Sequence, residues 1–140
     1  MTFLLDTNAV SEWFKPRPNS GLMAWMHMVD EDRTYVSVIT LGELRKGVER
    51  LPSGWRRQRL QLWLIDDLRA RFEHRVLSVD AETGDAWGRL IARTEKAGCR
   101  VGVTDALIAA TAEVHALKVV TRNVKHFEPT GVPVLNPWTG

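Results

Sequence analysis

Residues 3 to 12 read Phe3-Leu4-Leu5-Asp6-Thr7-Asn8-Ala9-Val10-Ser11-Glu12, a short aliphatic run that stops at an acid and passes at once into a segment of helical period. Such a run predicts a buried strand with a carboxylate at its end. The arrangement recurs along the chain. Thr2 to Leu5, Thr34 to Val38, Val76 to Val79, Lys118 to Thr121 and Val132 to Leu135 are each four or five residues long and predict five strands. Between them, Asn8 to Lys15 reads as a helix stopped by Pro16 and Pro18. Leu22, Met23, Trp25, Met26 and Val29 mark the buried stripe of a second helix, and Leu41, Leu44 and Val48 that of a third ending near Pro52. Trp55, Leu62, Trp63, Leu68 and Phe72 outline a long fourth. Asp80 with Thr83 predicts a capped fifth helix closed by Gly98, and Thr104 reads as the cap of a last helix from Asp105 to about His115. Strands separated by helices need right-handed parallel crossovers. The expected fold is therefore α/β, a short central parallel sheet of about five strands with helices on both faces.

Composition agrees with one folded domain over 1–140. The 140 residues include 19 Lys and Arg against 17 Asp and Glu, with 26% charged and 44% hydrophobic, which excludes disordered and collagen-like chains. The longest stretch without Asp, Glu, Lys or Arg is 12 residues, as at Pro18 to Val29, too short to span a bilayer. Only five residues precede Asp6, so no basic leader or secretory core is expected. The lone Cys99 permits no internal disulfide and no multi-cysteine zinc site, and a cytoplasmic setting is expected. The net charge of +2 is small, yet residues 45 to 59 carry Arg45, Lys46, Arg50, Arg56, Arg57 and Arg59 against Glu49 alone, a local net of +5. That run reads either as a solvated helix face or as a margin that draws in a polyanion.

In open parallel sheets, ligands bind beyond the carboxyl ends of the strands. Asp6 ends the first strand, and Glu43 sits one turn into the helix after the second. Asp105 opens the last helix, whose positive end favours its charge, and Asn123 follows the fourth strand. Singly, Asp6 and Asp105 also read as helix caps, Glu43 as a solvated or paired helical acid and Asn123 as a turn former. Gathered on one rim, three like charges persist mainly where a cation neutralises them. Three carboxylates and an amide are hard oxygen ligands, suited to Mg²⁺ or Mn²⁺ rather than zinc. His27, His74, His115 and His126 show no ligand spacing and read as packing or surface residues. Asn8, Thr40 and Thr121 are candidate donors around the acids, or else cap and turn residues.

The opening decapeptide resembles the PIN domain, specifically the VapC-like toxin ribonucleases of bacterial toxin-antitoxin systems in the branch related to FitB. Val38-Ile39-Thr40-Leu41-Gly42-Glu43-Leu44, Thr104-Asp105-Ala106-Leu107-Ile108-Ala109-Ala110 and Thr121-Arg122-Asn123 through Phe127 follow in matching order and spacing. The resemblance covers essentially the whole chain, down to Pro133-Val134-Leu135-Asn136-Pro137-Trp138. It implies a PIN-domain fold and a metal-dependent ribonuclease whose acidic quartet falls on Asp6, Glu43, Asp105 and the position of Asn123. Asp6, Asp105 and Glu43 would hold Mg²⁺, with Mn²⁺ as a substitute. Many relatives place an acid at the fourth position or three residues later, where this chain has Asn123 and His126. The resemblance also implies an RNA substrate, a homodimer, and a cognate VapB-like antitoxin that lies over a groove near the site and joins it in a larger complex.

An acidic site repels RNA, so basic residues must stand at its margin. Arg45, Lys46 and the cluster from Arg56 to Arg59 are the expected source. Trp55 and Trp63 read equally as core and as interface. The rival from another class is a nucleic-acid-binding or regulatory PIN module with little or no cleavage, favoured by Asn123. A phospho-accepting receiver or aspartyl phosphatase would want an acid two residues beyond Asp6, where Asn8 stands, or a lysine after a late strand, where Arg122 and Asn123 stand. Neither GxGxxG nor GxxxxGK[ST] occurs, which argues against dinucleotide and P-loop enzymes.

Overall fold

The computed structural model describes residues 1–139, so Gly140 of the expected 1–140 domain lies outside the described residues. The five predicted runs all form strands, each shorter than its run: β1 (Phe3–Leu5), β2 (Thr34–Ser37), β3 (Val76–Leu77), β4 (Lys118–Val120) and β5 (Val134–Leu135). They make one sheet of order β3-β2-β1-β4-β5, and every neighbouring pair is parallel. From β1 the chain winds outward through β2 to β3. It then returns to the other side of β1 as β4, with β5 beyond. The boundary between β1 and β4 is the switch point, where an open α/β sheet leaves a crevice at its carboxyl edge.

Alternation along the strands builds two cores. Leu4 and Val119 face the cluster that holds Leu90, Ile108 and Phe127, whereas Leu5 and Val120 face the one that holds Val10, Leu22, Val36, Leu68 and Phe72. The first is covered by α6 (Ala81–Lys96), α7 (Val103–His115) and α8 (Val124–Phe127). The second is covered by α1 (Thr7–Trp13), α2 (Ser20–Met28), α3 (Val38–Glu49), α4 (Trp55–Leu62) and the segment Trp63–Leu68, after which α5 (Arg69–Arg71) ends the same long helix.

Helix starts follow capping chemistry. Asp6 Oδ1 accepts from Thr7 N at the head of α1, Asn19 Oδ1 from Leu22 N, Ser37 Oγ from Ile39 N and Asp80 Oδ1 from Thr83 N. Gly98, at φ 75, follows α6 in the left-handed conformation expected of a closing glycine. Several boundaries move from their expected places, among them those of α1, which runs Thr7–Trp13 where Asn8 to Lys15 was expected. Val38 opens α3 instead of ending β2, because Ser37 caps the helix there, and Glu43 lies one turn in, as expected. Thr104 is not the cap of α7: the helix begins at Val103 after Gly102, so Asp105 sits inside its first turn. The long fourth helix is continuous from Trp55 to Arg71, but Trp63–Leu68 between α4 and α5 is π-helical. Among the described residues no helix is long and apolar enough to cross a membrane.

Candidate active site

Asp6 is buried at the carboxyl edge, where it is 4% exposed. Its two oxygens are held separately. Oδ1 takes the Thr7 N–H at 2.8 Å, and Oδ2 takes the Thr121 hydroxyl at 2.8 Å and the Asn8 amide at 3.1 Å. Asn8 also donates to Thr121 Oγ1 and accepts the Arg122 N–H at 3.1 Å, so β1 and the turn after β4 are tied by side chains across the switch point. Burial pushes the Asp6 pKa up to about 6 despite the bonds from Thr121 and Thr7, and the charges of Asp105 and Glu43 push the same way.

Glu43 reaches the same place from α3. Its Oε1 accepts from Thr7 Oγ1 at 2.5 Å, and Thr7 Oγ1 lies 3.2 Å from Thr40 Oγ1. Asp105 projects from the first turn of α7. Burial raises its pKa, with the Glu43 charge acting alike, while His126 pulls it down. Asn123 precedes α8 and is exposed; its N–H donates to Thr121 Oγ1 at 3.0 Å.

All four expected residues, Asp6, Glu43, Asp105 and Asn123, line one hollow of about 320 Å³. Asn8 and Thr121 are donors to Asp6 as expected, and Thr40 stands behind Thr7. Among the described residues, no three His, Cys, Asp or Glu side chains are gathered tightly enough to hold an ion by themselves.

Three expectations change. His126 is not a bystander, since its Nδ1 lies 3.3 Å from Asp105 Oδ2. Its sequence position near Asn123 was the only signal, because the contact depends on how α8 packs beside α7. Arg45 and Lys46 do not line the hollow, and Arg57 is paired with Glu49. The cations that do line it are Lys15 and Arg122, together with Ser11 and the buried acid Glu12, none of which the sequence pattern singled out. The two tryptophans part company. Trp63 packs on the second core and against Phe14, with ring centroids 3.9 Å apart, whereas Trp55 is 71% exposed.

Beside the hollow runs a mainly apolar groove of about 540 Å³ between the end of α1, α3 and α4. Leu44, Val48, Leu60 and Trp63 contribute to its lining, together with Trp55, Arg56 and Arg59. Thr7, Ser11, Lys15 and Glu43 line both cavities, so the two are continuous.

The parallel sheet with acids collected at its switch point defines an α/β domain with an acidic site. The PIN domain family matches residues 3–130, and the chain belongs to it. VapC ribonuclease Y4jK of Sinorhizobium fredii is 36% identical over 135 residues, covering 96% of each chain. Toxin FitB of Neisseria gonorrhoeae is 35% identical over 135 residues, covering 96% of this chain and 97% of FitB. The structure of FitAB bound to an IR36 DNA fragment superposes with a TM-score of 0.92 at 32% identity, over 98% of this chain and 96% of that one. Both the PIN fold and the FitB-related branch expected from the sequence are thereby borne out.

Proposed function

We propose that this chain is a metal-dependent ribonuclease toxin of a VapBC-type toxin-antitoxin system. It hydrolyses RNA phosphodiester bonds at the hollow of Asp6, Glu43 and Asp105, with Mg²⁺ as the cofactor and Mn²⁺ as a substitute. One observation carries the reading. Asp6 is a buried carboxylate whose pKa is raised to about 6, and the groups acting on it include two further carboxylates and no cation. Such a group is costly to keep ionised unless a cation sits beside it. The donors offered are carboxylate, hydroxyl and amide oxygens, the chemistry that suits Mg²⁺.

When bound, the ion supplies charge that polarises a phosphoryl oxygen and makes water acidic enough to serve as nucleophile. The rest falls to the chain. Thr7 N, Thr121 and Asn8 fix the direction of both Asp6 oxygens, and Thr7 Oγ1 fixes Glu43. Asp6, Asp105 and Glu43 would hold the metal, with Asn123 as a neutral oxygen or amide donor at the rim.

The names of the relatives support toxin and ribonuclease activity. The continuous apolar groove supports a VapB-like antitoxin segment laid over it, with Trp55 as an anchor, in a homodimer that joins the antitoxin in a larger complex. An RNA substrate and a lone Cys99 fit a cytoplasmic setting. A second reading, a PIN module that binds nucleic acid with little cleavage, is favoured by the contact of His126 with Asp105 and by the amide at Asn123.

The test is incubation of the purified chain with pooled RNA in Mg²⁺ and in excess EDTA. Cleavage that disappears with EDTA is expected. RNA retained but uncut supports the second reading, and cleavage that survives EDTA contradicts the first.

A further inference from the structure

The hollow carries a second charged group that the reaction scheme above leaves unused. Glu12 is 8% exposed, on the face of α1 turned toward the hollow, where a lone carboxylate would be costly. It is compensated twice: Lys15 Nζ donates to Oε1 at 2.9 Å, and Asn19 N–H donates to Oε2 at 2.9 Å. The Lys15 bond holds the Glu12 carboxyl below its ordinary pKa, and the charge of Arg122 pulls the same way, so Arg122 lies within its field. Arg122 is placed independently through its N–H on Asn8 Oδ1.

A stabilising ion pair alone explains little here, since a partly exposed i,i+3 pair adds little to stability. Nor does it require two cations on the wall of an acidic hollow. Lys15 keeps 57% of its side chain exposed, and Arg122 is exposed too, so both can take a further partner. Glu12 against these two cations leaves a local charge of +1 within a hollow that otherwise bears carboxylates. Lys15 stands where the hollow passes into the groove.

We propose that Lys15 and Arg122 form a subsite for the RNA backbone phosphate adjoining the scissile one, with Glu12 as the positioning residue that aims Lys15. The inference rests on the ribonuclease reading and deepens it. A guanidinium and an ammonium on one wall suit the non-bridging oxygens of a phosphodiester. They also counter the repulsion that three carboxylates exert on an incoming strand.

The experiment is fluorescence anisotropy of a labelled, mixed-sequence single-stranded RNA with the full chain in Mg²⁺, over a series of KCl concentrations. An Asp105→Asn background keeps the RNA uncut. Lys15→Ala and Arg122→Ala are each expected to weaken binding about 3- to 10-fold near 0.1 M salt and to reduce the slope of log K against log salt by about 0.7. Lys96→Ala removes the same charge from the last residue of α6, which lines neither the hollow nor the groove, and is expected to change neither. Glu12→Gln removes a negative charge, so charge count alone gives tighter binding, whereas the positioning role gives weaker binding; Lys15→Arg should preserve it. Slopes for Lys15→Ala and Arg122→Ala equal to that of Lys96→Ala would overturn the subsite, and tighter binding by Glu12→Gln would overturn the positioning role. Should the Lys15→Ala protein melt, the exposed Arg122 carries the test alone. If the unsubstituted Lys15 and Arg122 protein holds no RNA at all, the ribonuclease reading fails and the subsite with it.

Discussion

The acidic hollow and the apolar groove share a wall, yet they are finished to different degrees. In the hollow, Asp6 is buried with each oxygen committed to named donors, and Asn8 and Thr121 lock β1 to the turn after β4. In the groove, Trp55 stands 71% exposed, with the Arg59 guanidinium 6.0 Å from its ring. Asp6 has its protein donors already, and no cation is among the groups that act on it. The groove is apolar surface still open to water, the condition of an interface before its partner arrives. Charge neutralisation should therefore govern the first region and surface burial the second.

The largest effect expected is on cleavage. Asp6→Asn and Asp105→Asn each remove a charged oxygen while nearly preserving size. Each should lower RNA cleavage by about a thousandfold or more, the several kcal/mol that loss of a metal ligand implies. Circular dichroism should show both variants folded. Retained cleavage in either would place the acid chemistry elsewhere.

Next comes stability of the metal-free protein against pH. Asp6 binds its proton more tightly folded than unfolded, as its pKa rises from 3.8 to about 6. Ionised Asp6 thus costs the metal-free fold about 3 kcal/mol above pH 6, and the cost fades as pH falls from 6 toward 4. The raised pKa of Asp105 acts with the same sign. Urea midpoints between pH 4 and 7.5 should fall with rising pH in the parent chain and much less in Asp6→Asn. Parallel profiles for the two proteins would refute this account of Asp6.

For the groove, Trp55→Ala should weaken antitoxin binding by about 2 kcal/mol, roughly 30-fold, as an interface anchor does. Its urea midpoint should correspond to a change within about 0.5 kcal/mol, because the indole is exposed. Unfolding of the variant with or without a partner would make Trp55 structural and erase the contrast between the two regions.

Smallest is the change at Asn123, which lines the hollow from an exposed turn. Asn123→Asp adds a charge at the rim and should lower the Mg²⁺ concentration for half-maximal cleavage about tenfold, the low end of the attraction expected across about 6 Å. An unchanged midpoint would leave Asp6, Glu43 and Asp105 as the whole charged site.

Much of this geometry is legible before folding because strand ends and caps are local. Asp6, Glu43, Asp105 and Asn123 are recognisable from their places after β1, β2 and β4 and at the head of α7, and all four meet in one hollow. What is not legible depends on packing between distant segments. Glu12 and Lys15 look like an ordinary exposed i,i+3 pair until Asn19 closes over the carboxylate and Arg122 arrives from beyond β4. His126 looks like a surface residue until α8 brings it against α7. Val38, β-branched, reads as strand until Ser37 turns its hydroxyl to cap the next helix. The π-helical turn at Trp63–Leu68 leaves no pattern, since its apolar residues fit the stripe of an unbroken helix.

The most direct measurement is a calorimetric titration of Mn²⁺ into the intact chain near pH 6, beside Asp6→Asn and Asp105→Asn. The acidic hollow predicts binding by the parent chain, accompanied by release of protons from the raised carboxyl of Asp6, and loss of both the heat and the protons in each variant. Equal Mn²⁺ binding by the parent chain and Asp6→Asn would contradict the claim that these carboxylates are gathered to hold a cation.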